Sequence, residues 1–492
     1  MRHNQSVVFG CMFVALILVG GCGQQADHGA IPITTGSDEA REYFIEGREA
    51  LEMGRSDDAR DAFDRAIEGD ETFALAYLYR ARLATTAQEW KKFTDLAQEH
   101  KAGSSEGEQM LIDMIPLYVA SDDEAVLAQA KKLAAAYPES PRAALEVVYA
   151  MGGLNMTAES RSQLESLIAD HPSFAPAYRA LANSYVFEMP NDYGLAEKHA
   201  RKFVELAPRE ATGHILLGDV YRAQVQLEKA LASYTEAVKV DPEHSVAYAK
   251  KGHADTFLGN FDMARADFEE AIEHAEGTGK MSGANYGIYT YVYAGDLPAA
   301  LNASAAVMQN IPRLIADEEA QQQALMMCYE DRCKIAAAHG DFDIAREALA
   351  EYAKLSRSIA DEMNMPEIVA YTEANLAELE GWLAAWQGDY DAAMAHADAA
   401  AEHLAVSKSP RRLEGVHLLK GYVALQQGDP DTALEHLEQS NSDWITVTFY
   451  TAQAEAARGN TEEAMGLYRE VADWNFNSLD YALIRNKALT ML

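Results

Sequence analysis

Cysteine is scarce in this chain, four in 492 residues, and positive charge is scarcer than negative, 41 Lys and Arg against 77 Asp and Glu. A formal net charge of −36 sets nucleic acid and anionic lipid surfaces aside as partners, because both would repel it and release no counterions in return. Apolar runs are short: the longest, residues 7–19, falls well below the roughly 20 residues that a bilayer-spanning helix needs. The chain has no HExxH and no G-x-S-x-G. Its Gly277-Thr278-Gly279-Lys280 lacks the earlier Gly, the following Ser or Thr and the preceding strand of a phosphate loop, so it reads as an inter-repeat turn. No catalytic residue, metal set or cofactor is implied. A hydrophobic content of 49% with 24% charged residues excludes a disordered or collagen-like chain.

The apolar segment follows Met1 to Ser6, whose one formal charge is Arg2, and runs into Gly20, Gly21 and Cys22. Its length suits a signal-peptide core. Leu18-Val19-Gly20-Gly21-Cys22 resembles a bacterial lipobox. That resemblance implies that residues 1–21 are removed and that Cys22 carries a thioether lipid and an acylated amine, an anchor of several chains that holds stably where one would be marginal. The alternatives are an ordinary signal peptide cleaved near Gly21 and an uncleaved anchor. Gly23 and Gln24 after the Cys imply the outer membrane, periplasmic face, since members of that class retained in the inner membrane tend to carry Asp there. Residues 22–38 read as the lipidated Cys and a polar tether reaching roughly 50 Å. Ser37 offers an N-cap, with Asp38 and Glu39 in the polarised first turn.

From residue 40 a pattern of about 34 residues recurs. Its cleanest copy has Leu217-Gly218, Tyr221, Ala230, Tyr234, Ala237 and Pro242, and the next has Tyr248, Gly252, Ala264, Phe268 and Ala271. Small residues stand where two helices cross, large ones fill the space beside the crossing, and proline stops the second helix. A Gly precedes the small Ala of the second helix by five residues at Gly54, Gly259, Gly295, Gly340, Gly388, Gly428 and Gly459, where it supplies a left-handed C-cap. Asp341, Asp389, Asp429 and Asn460 beside four of these suit the turn.

These residues resemble the tetratricopeptide repeat (TPR) family. The resemblance implies an all-α fold, a right-handed α-solenoid of helix-turn-helix repeats with a C-terminal capping helix in residues 477–492. We expect about eleven units, with residues 74–140 loose in register. An N-terminal array covers 39–276, and a C-terminal array with longer helices, notably 345–359 and 366–386, covers 277–492. Within the second array lie Cys328 and Cys333. On one helix they would point apart by about 140° and stay free; a disulfide requires Cys328 to precede the helix. His396 and His403 share a helix face about 10 Å apart, too far for one zinc ion.

In TPR proteins the concave groove is lined from fixed first-helix positions. Carried onto this chain, they give Arg179 and Asn183, then Thr212, Ile215, Asp219 and Arg222, then His253 and Thr256, then Asn285 and Tyr289. Arg179 and Asn183 echo a carboxylate clamp, and Leu216 and Val246 break the echo. The resemblance implies a non-enzymatic scaffold, anchored to the membrane by lipid, that holds a protein or peptide partner in an envelope-assembly, secretion or cell-wall complex. The alternative is a glycan or small ligand held with help from Tyr289, Tyr291 and Tyr293, which on one helix spread over several faces and otherwise fill the core.

Overall fold

The computed structural model describes residues 30–492, and all regular structure among them is helical. The signal segment, Cys22 and the first part of the tether lie outside the described residues. The chain begins with paired helices, α1 (Asp38–Met53) with α2 (Ser56–Gly69) and α3 (Ala74–Ala81) with α4 (Ala87–His100). An irregular passage follows: α5 (Glu106–Ile112), α6 (Ile115–Val119) and α7 (Asp123–Ala136). Regular pairs then resume with α8 (Pro141–Gly153) and α9 (Thr157–Asp170), α10 (Ala175–Phe187) and α11 (Tyr193–Leu206), α12 (Ala211–Ala223) and α13 (Leu227–Val240), and α14 (Ser245–Leu258) and α15 (Phe261–His274). Beyond a one-turn 3-10 helix at Gly277–Gly279 come α16 (Lys280–Tyr293) and α17 (Leu297–Leu314), α18 (Glu318–His339) and α19 (Phe342–Met363), α20 (Pro366–Trp386) and α21 (Tyr390–His403), α22 (Glu414–Gln426) and α23 (Pro430–Leu437), and α24 (Ile445–Arg458) and α25 (Thr461–Asp473). One unpaired helix, α26 (Leu479–Leu489), ends the fold.

The turn chemistry follows the residue types. All seven turn glycines have positive φ, between 78° and 89°, a region that costs a side chain energy. Asp341, Asp389 and Asp429 act as N-caps of the second helices, their carboxylates accepting from the amides of Ile344, Ala392 and Thr432. Asn460 does not cap; its amide donates instead to Glu455. Ser37 caps α1 as its position suggests, accepting from the Ala40 amide.

The helix crossings are equally local. A Cβ on Gly218 would stand 2.2 Å from the Tyr234 ring, and one on Gly252 would stand 2.5 Å from Phe268, so these positions exclude any side chain. Ala230, Ala237, Ala264 and Ala271 are buried at the same crossings. From α10 to α24 each first helix also touches the first helix of the next pair. That packing curves the solenoid with the first helices on its inner face.

Two long-range features go beyond the repeat pattern. First, the N-terminal repeats fold against later ones. Arg179 on α10 donates to the carbonyls of Leu51 and Glu52 at the end of α1, at 3.2 and 2.9 Å. Arg55 reaches Glu210 at 3.1 Å, Gln88 on α4 reaches Glu362 on α19 at 2.8 Å, and Lys408 reaches Asp122 at 2.9 Å. Second, the C-terminal segment enters the concave side instead of only covering the last repeat. Helix α26 packs on α25 and also on α16, α18 and α24, with Leu479, Tyr481, Ile484 and Ala488 buried.

Cys328 and Cys333 both lie within α18, buried and unbonded. Burial pushes both thiols up to about 12. No helix among the described residues is long and apolar enough to cross a membrane.

Candidate functional site

The inner face divides into three stretches, and the residues carried over from the repeat pattern fall on two of them. All of these except Arg179 and Asn183 are buried.

In the middle stretch, Asp219 on α12 is the hub of a buried polar network. It accepts from Arg222 at 3.0 Å, from the Tyr234 hydroxyl at 2.7 Å and from Lys250 at 2.9 Å. Despite the cost of burial, these cations hold its carboxyl below the usual range. Arg222 is 2% exposed and stands 3.0 Å from Nδ1 of His253. Burial, then the neighbouring Arg222 and Lys250, push the His253 imidazole well below its ordinary value, so it stays neutral.

Phe476, from the C-terminal segment, packs on this network at Arg222. Its ring centre lies 4.7 Å from the Arg222 guanidinium carbon and 4.8 Å from the Phe187 ring. Thr212 lies against Gly54 of the folded-back first repeat, Ile215 packs in a core cluster with Ala247, and the Thr256 hydroxyl donates to the Gly252 carbonyl. Asn285 is buried, with its Oδ1 atom lacking a partner among the described residues. Tyr289 donates to Asp331 at 2.6 Å. Tyr293 is buried against Tyr481, and Tyr291 lies on another face under Arg265, so the three tyrosines form no common platform. The pattern puts these residues on the concave face, as the first-helix positions require, and the protein's own C-terminal segment then covers much of that face.

Arg179 and Asn183 belong to a different stretch, which is open. With α1, α3, α6 and α8 they line a hollow of about 480 Å³. Two ion pairs brace its wall: Arg82 with Glu146 at 2.9 and 3.2 Å, and Arg142 with Glu52 at 2.6 and 2.9 Å. Both are two-pronged, the geometry in which a guanidinium best fits a carboxylate. Behind them Arg48 is held below its usual value by burial, then by Arg142. Arg179 has no carboxylate partner among the described residues; its contacts are the two helix-end carbonyls, and burial lowers its value. Tyr118 and Tyr149 stand exposed at the rim, 49% and 57% accessible. A chain of strongly negative overall charge thus presents an arginine-rich, tyrosine-rimmed concavity.

Arg82, Arg142, Tyr118 and Tyr149 are absent from the set read off the repeats. One of them had a signal: the first-helix position that gives Asn183 in residues 175–210 gives Tyr149 when applied to residues 141–174, whereas the position of Arg179 gives Leu145 there and Arg142 stands where the later unit has Pro176. Arg82 and Tyr118 come from residues 74–140, the part of the chain whose register the sequence left loose.

The profile described as tetratricopeptide repeat matches residues 46–107, 191–245 and 418–477, and a second profile of that description matches 245–276. These residues of the chain are tetratricopeptide repeats. Such repeats build an α-solenoid that serves as a protein-interaction scaffold, so protein partners are the class to expect. Among curated proteins it is similar to mouse (Mus musculus) protein O-mannosyl-transferase TMTC1, 28% identical over 136 residues, which is 27% of this chain and 14% of that protein. The human (Homo sapiens) protein of the same name is 24% identical over 205 residues, 40% of this chain and 22% of that one. The chain therefore matches under a quarter of the length of these relatives. Among solved structures, the yeast Tom70 crystal structure aligns over 92% of this chain and 88% of its own, with 15% identity and a TM-score of 0.33.

Proposed function

We propose that this TPR protein is a non-enzymatic, lipid-anchored scaffold of the bacterial envelope that holds a protein partner by an acidic segment in the N-terminal hollow. The observation that carries the binding reading is Arg179, a largely desolvated cation without a carboxylate, aimed into a concavity rimmed by exposed tyrosines. An incoming carboxylate would complete a charge-assisted pair there, and Tyr118 and Tyr149 would supply rigid apolar contact beside it. Asn183 adds a neutral hydrogen-bonding group. The anchor rests on residues 18–22 alone, and the overall acidity favours a partner over nucleic acid or a bare lipid surface.

The experiment places a photo-crosslinking residue at Tyr149 in the full-length protein in cells, with and without Arg179→Glu. One defined envelope protein crosslinked through an acidic stretch, and lost in the variant while its melting temperature holds, is the expected result. A crosslink unchanged by charge reversal moves the site away from the hollow. For the anchor, Cys22→Ala should release the protein from membranes into the soluble fraction; continued membrane association would overturn it.

A further inference from the structure

The third stretch of the inner face, formed by the longer C-terminal helices, holds a chamber that neither the repeat pattern nor the reading above uses. One compartment of about 360 Å³ is lined from α18, α19, α20, α22, α24 and α26. A second of about 370 Å³ shares Lys334, Trp386, Thr446, Tyr450 and Asp480 with it, so the two adjoin. Each lies within the volume range of small-molecule sites. Helix α26 makes the chamber: without Asp480 and its neighbours the space would be an open trough.

The walls are aromatic. Trp382 packs on Trp386 with ring centres 5.7 Å apart and on Tyr422 at 5.2 Å, and Tyr422 continues to Tyr450 at 5.1 Å. Tyr352 adds a further ring to the first compartment.

The charge inside is unbalanced. Three carboxylates, Glu330, Glu378 and Asp480, line the first compartment against one ammonium, Lys334. Lys334 is already engaged by Glu330 at 3.0 Å and Asp480 at 3.5 Å. Glu378 is left over. Its carboxylate has no hydrogen-bond or ion-pair partner among the described residues. It lies over Gly415 of α22, where an added Cβ would come within 2.6 Å of Oε2. Burial alone pushes its carboxyl up to about 7, the mark of a negative charge held in apolar surroundings without a counter-charge.

We propose that this chamber is a binding site for a small organic cation, an amine or quaternary ammonium with an apolar body, whose charge pairs with Glu378 and whose body lies against Trp382, Trp386 and Tyr450. A positive centre gains twice there. The ring faces attract it through their quadrupoles, and the desolvated carboxylate supplies the counter-charge that the protein leaves missing. A neutral sugar would find the aromatic surface but would leave Glu378 without its counter-ion. The inference does not rest on the N-terminal hollow; either can fail without the other.

The test is calorimetric titration of the full-length protein with benzylamine and benzyltrimethylammonium, against neutral benzyl alcohol of the same shape and against N-acetylglucosamine, with tryptophan fluorescence as a second readout. Saturable binding of the cations, at least about tenfold tighter than the alcohol, is expected from the worth of a hydrogen bond or ion pair to a charged group. Glu378→Gln, nearly the same shape, should erase that preference while leaving the melting temperature equal or higher. Equal affinity for amine and alcohol, a preference for the sugar, no saturable binding of either cation, or a cation preference that survives in Glu378→Gln would each overturn the proposal. The comparison of ligands on the unmutated protein decides the matter even if the variant folds poorly.

Discussion

The inner faces of the two halves are built from the same helix-turn-helix unit and have reached opposite states. Between α1 and α10 the concavity is open, with Arg82, Arg142 and Arg179 against Glu52 and Glu146, and with tyrosines at its rim. From α16 to α24 it is filled by α26, and the space that remains is lined by tryptophan, tyrosine and an excess of carboxylate. Helix length accompanies the difference: α10 and α12 have 13 residues each, whereas α18 and α19 have 22 and α20 has 21. Yet α26 lies mainly on α16, α24 and α25, of 13 or 14 residues each, so helix length alone does not account for the filling. The repeat motif therefore fixes how neighbouring helices cross, and leaves what occupies the groove to residues outside the motif.

Three measurements bear on this contrast, and the largest effect should come from removing the filling. A chain ending at Asp473 loses the buried side chains of Leu479, Tyr481 and Ile484 and exposes Phe257 and Tyr293 beneath them. We expect a loss on the order of 5 kcal/mol, with new binding of a hydrophobic dye. Urea unfolding followed at tryptophan reads it, because Trp382, Trp386 and Trp444, all kept in the shortened chain, lie in the C-terminal half and only Trp90 lies outside it. Unfolding unchanged from full length would mean that α26 does not belong to the core of that half.

The pH response comes next, because Glu378 in one half and Asp70 in the other are shifted in opposite directions. Glu378 stands at about 7 and Asp331 at about 6, both raised by burial first. A carboxyl raised on folding favours the folded state at low pH, and that contribution is lost as pH rises from its unfolded value, near 4 to 4.5, through its folded one. The C-terminal half should therefore weaken between about pH 4.5 and 7, by about 3 kcal/mol for Glu378 alone. Glu330 and Lys334 on α18 and Asp480 on α26 are the charged groups that line its compartment, and Asp331, elsewhere on α18, titrates in the same direction. In the N-terminal half Asp70 behaves in the opposite way. Against the cost of burial, the Thr35 and Thr72 hydroxyls and the Gly36 and Thr72 amides hold it down to about 2. Its contribution is present above about pH 4 and lost only as pH falls toward 2. Unfolding of Glu378→Gln at pH 5 and pH 8 should show a flatter pH dependence than the parent; an equal slope would assign the effect elsewhere.

The smallest effect compares the crossings. Gly218→Ala forces a Cβ into the Tyr234 ring and should cost about 2 kcal/mol. Gly381→Ala in the C-terminal half meets chiefly the end of the Leu419 side chain, at 2.6 Å, which can rotate away, so its cost should be under about 1 kcal/mol. Equal melting temperatures for the two variants would show that the N-terminal crossings are no tighter than those of the longer helices.

Several features were legible before any tertiary structure. The turn glycines, the Asp caps beside them and the Gly218 and Gly252 crossings all lie within one repeat, so residue type and spacing carry them. The bounds of α20 emerged as read, and α19 extends a few residues beyond 345–359 at both ends. The groove was legible as a set of positions but not as a surface. Asp219, Arg222 and His253 have the polarity expected of an exposed binding face, yet all three are buried, and Arg222 lies against Phe476, more than 220 residues further along the chain. Spacing within a repeat says nothing of a contact made at that distance.

The sequence by itself determined the helix pairs, their turns and caps, and the curvature with first helices inside, because each of these depends on neighbours within about 40 residues. Only the tertiary structure decided that the first repeats fold back onto α10 and α12, that α26 fills the C-terminal trough, that Arg179 faces an open hollow without a counter-ion, and that Glu378 faces an aromatic chamber without one. These depend on side chains from five or six helices converging on one place. A repeating motif cannot encode that convergence, because every copy of the motif is locally alike.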